Sequence, residues 1–360
     1  MSAKRNFFTY KFIKIGFTLC LIIMLLLQFA GCNYGTKSNA TNATETADET
    51  IQNSENTGTE SADEKNSITK QISVTDQPYD FVNSRNLPEN ANTEYRYDTD
   101  LKTTDSKRIF YGAGTCSYLE GKKIVALFFI DDDVSHWNRK TIQNFTDYNV
   151  LPALDFIDRE AELWEIDLSF EIWRFSSAFS TGLELKYNGT VNPDLFDGGS
   201  TKDLLSQTAQ AFGYSCDMAF RWALTEKSGG VEIIPIFLLN KGGISYARNN
   251  YIVGPVKYAE HAVVFSVSQY GPRDQSATFA HELLHLYGAE ELYTPTPRYN
   301  LSFDLYPYDI MLLETRNLNK LTIDDFTAYT LGWNQTMPDI CNNQEWYSDS
   351  YYQDYRDRFE

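Results

Sequence analysis

His281-Glu282-Leu283-Leu284-His285-Leu286-Tyr287-Gly288-Ala289-Glu290-Glu291 follows an apolar run opened by Ser276 or Thr278. Its spacing predicts a helix over 278–287. In a helix, residues four apart lie one above the other, so His281 and His285 present their rings on one face. Two neutral ring nitrogens placed in that way can share one zinc ion. Glu282, beside the first histidine, can reach a water activated by the metal, take its proton and pass that proton to a leaving amine. The chain has only 4 histidines, so two of them around this glutamate form a specific pattern. The plain alternative is an amphipathic helix whose histidines only pack or cap. Gly288 is placed to end the helix in a left-handed conformation and turn the chain back. That turn would bring Glu291 within reach of the same metal. Glu290 is its main competitor, and either acid could instead be a solvated loop residue.

The whole string, His-Glu-x-x-His-x-x-Gly-x-x-Glu, resembles the signature of the metzincin zinc peptidases. Their third ligand is a histidine or, in some branches, an aspartate; here the position holds glutamate. The resemblance implies Zn²⁺ as cofactor, His281, His285 and Glu291 as its ligands, and Glu282 as general base. It also implies a tight turn with a methionine beneath the metal, for which Tyr308-Asp309-Ile310-Met311 is the candidate. An ordinary core methionine is the competing reading of Met311. Within the same enzyme class, a gluzincin-like site would draw its third ligand from farther along the chain, with Glu314 as the candidate.

Working outward, residues 123–130 form a short β-rich run closed by Asp131-Asp132-Asp133 and read as a buried strand. Residues 139–165 carry apolar side chains at helical spacing, with Pro152 as a kink or break. A half-buried strand is expected over 168–175, a long helix over 202–224, strands over 231–239 and 261–267, and a last helix near 323–331. Between the motif helix and that last helix lies a turn-rich stretch with Pro295, Pro297 and Pro307. The expected fold is α/β (α+β) and zincin-like: a mixed twisted sheet with an active-site helix and a C-terminal helix, over residues 106–360. The strand Ala262-Val263-Val264-Phe265 would be the sheet edge to which an extended peptide adds.

The amino terminus has Lys4, Arg5, Lys11 and Lys14 without an acid, then an almost wholly apolar run from Ile15 to Ala30. This is the layout of a secretory signal. Leu27-Gln28-Phe29-Ala30-Gly31-Cys32 resembles the lipobox of bacterial lipoproteins, in which the cysteine is lipid-modified; Phe29 departs from the usual aliphatic residue. The resemblance implies removal of residues 1–31, lipid attachment at Cys32 and a location on the extracytoplasmic face of the cell membrane. The alternative is an uncleaved signal-anchor. Residues 32–105, poor in apolar side chains at first and only slightly richer later, read as a tether.

The formal charge of the whole chain is −18, and removing residues 1–31 makes it more acidic still. Binding to nucleic acid or to an anionic membrane surface is therefore not expected. Of the 5 cysteines, Cys116, Cys216 and Cys341 remain in the domain, which allows at most one disulfide. Asp131-Asp132-Asp133 could hold calcium, but three consecutive acids more often make a solvated turn. His136 and His261 each stand alone and read as structural. Tyr287, Tyr293, Tyr306 and Tyr308 surround the motif, and any one could donate to an oxyanion. The function that fits is a surface-tethered peptidase acting on peptides or proteins. The alternative is a non-catalytic lipoprotein that keeps the scaffold for binding, against which the retained Glu282 argues.

Overall fold

The computed structural model describes residues 72–78, 111–112, 114–180, 182–192, 198–249, 259–268, 274–293, 296–343 and 346. All of them belong to one compact unit, Ser67–Glu360. The signal segment and Cys32 lie outside the described residues, and so does most of the expected tether. Among the described residues no helix is long and apolar enough to cross a membrane.

The architecture grows from β2 (Gly121–Ile130), whose residues from Lys123 to Ile130 are all buried. It pairs in parallel with β3 (Leu168–Ser176) on one side and β4 (Glu232–Gly243) on the other. Successive side chains of a strand point to opposite faces. Val125, Leu127 and Phe129 accordingly enter one core, while Ile124, Ala126, Phe128 and Ile130 enter a second. A parallel strand covered on both faces reads as an unbroken apolar run, which is how this segment reads.

Beyond these three strands, β1 (Ser73–Asp76) pairs in parallel with β3, β6 (His261–Ser268) in parallel with β4, and β5 (Tyr246–Arg248) antiparallel with β6. The sheet order is β1-β3-β2-β4-β6-β5. One face is covered by α1 (Arg139–Phe145), α2 (Leu151–Leu163), α5 (Ser276–His285) and α7 (Asp325–Leu331), the other by α3 (Gly198–Ala211) and α4 (Asp217–Lys227). The result is a mixed α/β fold of three layers. A π turn, Thr146–Val150, joins α1 to α2 immediately before Pro152. Proline lacks the amide that would continue the regular ladder, and a π turn is a common local solution.

Four expectations are corrected. The tether does not extend unbroken to residue 105, because Ser73–Asp76 is part of the sheet and Asp76 pairs with the buried Arg174 at 2.7 Å. Residues 261–267 do not form a sheet edge, because β5 lies outside β6. The single helix expected over 202–224 is two, separated at Gly213, whose φ of +85° ends α3. The turn-rich stretch contains a further helix, α6 (Thr296–Leu305).

The role of β1 predicts that a chain beginning at Ser106 is less stable than one beginning at Ser67. It loses a strand and leaves the Arg174 guanidinium without its carboxylate, a cost of about 2 kcal/mol. Urea unfolding of the two chains measures the difference; equal stabilities would contradict the assignment.

Candidate metal centre

Every residue of α5 from Ser276 to Leu284 is buried, and the helix packs on α2 and on strands β5 and β6. Polar groups on so enclosed a helix must find partners or carry a large desolvation cost. At its carboxyl end, Gly288 adopts φ +102°. The Gly288 amide donates to the His285 carbonyl at 3.1 Å and the Ala289 amide to the Leu284 carbonyl at 3.2 Å. This is the paired bonding of a glycine-terminated helix, and it reverses the chain as the sequence anticipates.

The reversal separates the two adjacent acids. Glu290 points into the core and accepts from the fully buried Arg298 at 2.9 Å. Arg298 also donates to the Trp346 carbonyl and lies against the Trp346 and Phe326 rings. Glu290 is therefore committed elsewhere. Glu291 turns to the helix instead, with Oε1 at 3.0 Å from His285 Nε2 and Oε2 at 3.5 Å from His281 Nε2.

Both imidazoles are oriented by backbone carbonyls. His281 Nδ1 lies 3.1 Å from the Ile310 carbonyl and His285 Nδ1 lies 2.7 Å from the Ala289 carbonyl. A carbonyl can only accept, so each Nδ1 carries the proton and each Nε2 in the neutral ring is a bare lone pair. The two Nε2 atoms are 3.0 Å apart. Two nitrogen lone pairs and a carboxylate thus converge on one point, and Glu291 Oε2 is buried without a hydrogen bond. Such a cluster is repulsive unless a proton or a cation sits within it. An ion bound tetrahedrally at about 2.0–2.1 Å holds its ligands about 3.3 Å apart, and the observed separations of 3.0–3.5 Å bracket that spacing. His281, His285 and Glu291 are the metal-capable cluster found among the described residues, and a set of nitrogen and oxygen donors suits zinc.

The electrostatics follow from this crowding. Burial disfavours a charged ring at His285, but the Glu291 carboxylate outweighs burial and lifts its pKa from 6.5 to about 9. Burial likewise works against the Glu291 carboxylate, yet His285 and His281 hold it well below the usual carboxylate range. Glu282, only 6% exposed, is raised by burial, with His281 and His285 opposing the rise. A carboxylate raised in this way is a stronger base.

Around the cluster the remaining expectations divide. Met311 is buried in a turn whose Leu312 amide donates to the Asp309 carbonyl at 3.0 Å. The turn reaches the cluster through the Ile310 carbonyl on His281. Glu314 is exposed, accepts from the Tyr299 hydroxyl at 2.9 Å and lies outside the cluster. Asp132 takes amides of Val134, Ser135 and Val191, the Ser135 hydroxyl and the Lys241 ammonium. Its oxygens are therefore filled by the protein, and the acidic run closes β2. His261 is buried, bonds the Ala259 carbonyl and has its pKa depressed by burial to about 4; His136 is exposed. Cys116, Cys216 and Cys341 are free thiols.

Several supporting residues escaped the sequence reading. The fully buried Asp309 accepts the Met311 amide at 2.7 Å and the Asp324 amide at 2.9 Å, and so fixes the turn that carries the Ile310 carbonyl. Aspartate bonding the amide two residues on is a known turn device, and Asp309-Ile310-Met311 offered that signal. Asn249 Nδ2 donates to the His285 carbonyl at 3.0 Å. Arg316 donates to Thr278 Oγ1, one turn before Glu282, and adds a positive field at that base. Nothing in the local pattern marked these last two.

No family model, no curated protein and no solved structure matches this chain.

Because the folded pKa of His285 lies above its ordinary value, the proton stabilises the metal-free fold fully below about pH 6.5. That contribution is lost as pH rises through about 9. Metal-free protein should therefore lose stability between these values, and one equivalent of zinc should remove the dependence. Urea unfolding in chelator at both ends of the window measures it; a flat profile without metal would contradict the geometry.

Proposed function

We propose that this chain is a zinc-dependent peptidase with a metzincin-like site, displayed on the outer face of the cell membrane through a lipid at Cys32. The observation that carries the reading is the convergence of His281 Nε2, His285 Nε2 and Glu291 Oε1 and Oε2, beside a buried carboxylate, Glu282, that feels both histidines and lies outside the clustered set. A scaffold kept only for binding would not need that carboxylate.

His281, His285 and Glu291 would hold the ion, leaving one position open. Zinc bound there supplies Lewis acidity, polarising a peptide carbonyl and making water acidic enough to ionise near neutral pH. Glu282 accepts the proton of the attacking water and returns it to the amine of the leaving segment. The Ile310 and Ala289 carbonyls keep each ring in the tautomer that presents Nε2, and such outer contacts commonly matter 10–100-fold in metal affinity or activity.

The substrate is a peptide or protein in extended form. Among the described residues β5 is the outermost strand beside the site, and Asn249, immediately after it, bonds the last residue of α5. An extended chain adding to β5 as a further strand would run past the cluster. This role was expected of residues 262–265, which are instead sandwiched between β4 and β5.

The full chain should bind about one zinc, and the His281→Ala, His285→Ala double variant should bind none, by elemental analysis. Glu291→Gln should weaken zinc binding clearly in competition titrations, whereas Glu290→Gln and Glu314→Gln should matter less. Glu282→Gln should keep its zinc and lose at least about two orders of magnitude in cleavage of a peptide library. Full activity of Glu282→Gln would end the mechanism, and release of zinc by Glu314→Gln alone would replace Glu291 as the third ligand.

A further inference from the structure

Between Glu291 and the Met311 turn, α6 carries a face that the metal centre does not use. Its inner stripe is Arg298 and Ser302, both fully buried. Tyr299 and Phe303, again four residues apart, form the stripe beside it, with ring centroids 6.3 Å apart and planes at 46°. Phe303, Leu305 and Tyr308 are 50%, 52% and 56% exposed. Apolar side chains exposed singly are ordinary, but a run of them beside a candidate site marks a contact surface. Two acids lie along the same stretch. The Tyr299 hydroxyl donates to Glu314 Oε1 at 2.9 Å in a bond open to solvent, and Asp304 is exposed next to Phe303 in the chain. The bases nearby are turned elsewhere: Arg298 is buried on Glu290, and Arg316 donates to Thr278.

We propose that Tyr299, Phe303 and Glu314 form a specificity subsite that takes a lysine or arginine side chain of the substrate, so that the peptides cleaved are cationic; the inference rests on the peptidase reading above. The face is fixed relative to the cluster at both ends. Arg298, the residue before Tyr299, donates to the Glu291 carbonyl at 3.2 Å, and Glu314 follows the turn whose Ile310 carbonyl orients His281. The Tyr299–Glu314 bond therefore bridges the two segments that leave the metal centre. The chemistry of the face suits a cation. The phenol occupies one of the acceptor positions of the carboxylate and leaves its charge intact, while two tilted rings offer faces to an ammonium or guanidinium. An exposed carboxylate alone discriminates weakly because water and salt screen it. Rings and carboxylate acting together on one side chain select more strongly, and the stem of a lysine or arginine covers the apolar surface that its head group does not. The formal charge of −18 adds a long-range attraction for basic peptides.

The experiment measures cleavage by the zinc-loaded full chain of peptides that carry Lys, Gln or Glu in turn at each position flanking the scissile bond. Wild type is expected to prefer Lys to Gln at one position by about tenfold in kcat/KM. Glu314→Gln, which keeps an acceptor for Tyr299, and Phe303→Ala should each reduce that preference to about twofold or less, through KM and with zinc retained. Both should cleave the Gln peptide as wild type does, which a structural defect would not allow. Glu314→Lys should shift the preference toward Glu. A wild type that cleaves the Lys, Gln and Glu peptides equally, or a preference that survives in Glu314→Gln and Phe303→Ala, would overturn the proposal alone. A wild type that binds zinc and cleaves none of the peptides would overturn the peptidase reading and this proposal with it.

Discussion

The site depends on one electrostatic conflict: two imidazole lone pairs and a carboxylate are forced together on a buried helix face. The fold fixes them there. The Ile310 and Ala289 carbonyls remove the choice of tautomer, Gly288 reverses the chain and Arg298 claims the neighbouring acid. Each of these contacts would be unremarkable alone. Together they leave three acceptors that only a proton or a cation can reconcile, at spacings suited to a small divalent ion.

The rest of the molecule serves to hold that helix still. Its apolar side chains fill the core between the sheet and α2, so α5 cannot rotate without opening a cavity. The Met311 turn braces it from below through Asp309, which gathers the amides of both Met311 and Asp324. At the far side, the Tyr287 hydroxyl reaches Glu232, which also takes the Lys123 ammonium at 3.1 Å, tying the end of the helix to strands β2 and β4. These links are long-range in sequence and polar within an apolar setting, where a satisfied hydrogen bond is most costly to lose.

What could be read from the sequence was whatever is encoded locally. The i, i+4 histidines, the glycine that ends the helix and the alternation of apolar strands all carry short-range signals, and each led to the observed element. Glu291 was separable from Glu290 only as a matter of turn geometry; the deciding partner, Arg298, comes from a helix that the prolines nearby disguised as turns. β1 and β5 were missed for a related reason. Four and three residues long, with β1 exposed throughout, they are strands only because a neighbour offers its edge. Likewise the sequence could not choose among Tyr287, Tyr293, Tyr306 and Tyr308, since all are near the motif along the chain and only tertiary structure aims one, Tyr293, at the cluster.

The central claim is that His281, His285 and Glu291 together form a zinc site, and its most direct test is X-ray absorption at the zinc edge on protein purified without added metal. The account predicts one zinc with two imidazoles and oxygen donors at about 2.0–2.1 Å and no sulfur. A shell near about 2.3 Å, which would bring Cys116, Cys216 or Cys341 to the metal, or protein free of zinc, would contradict it.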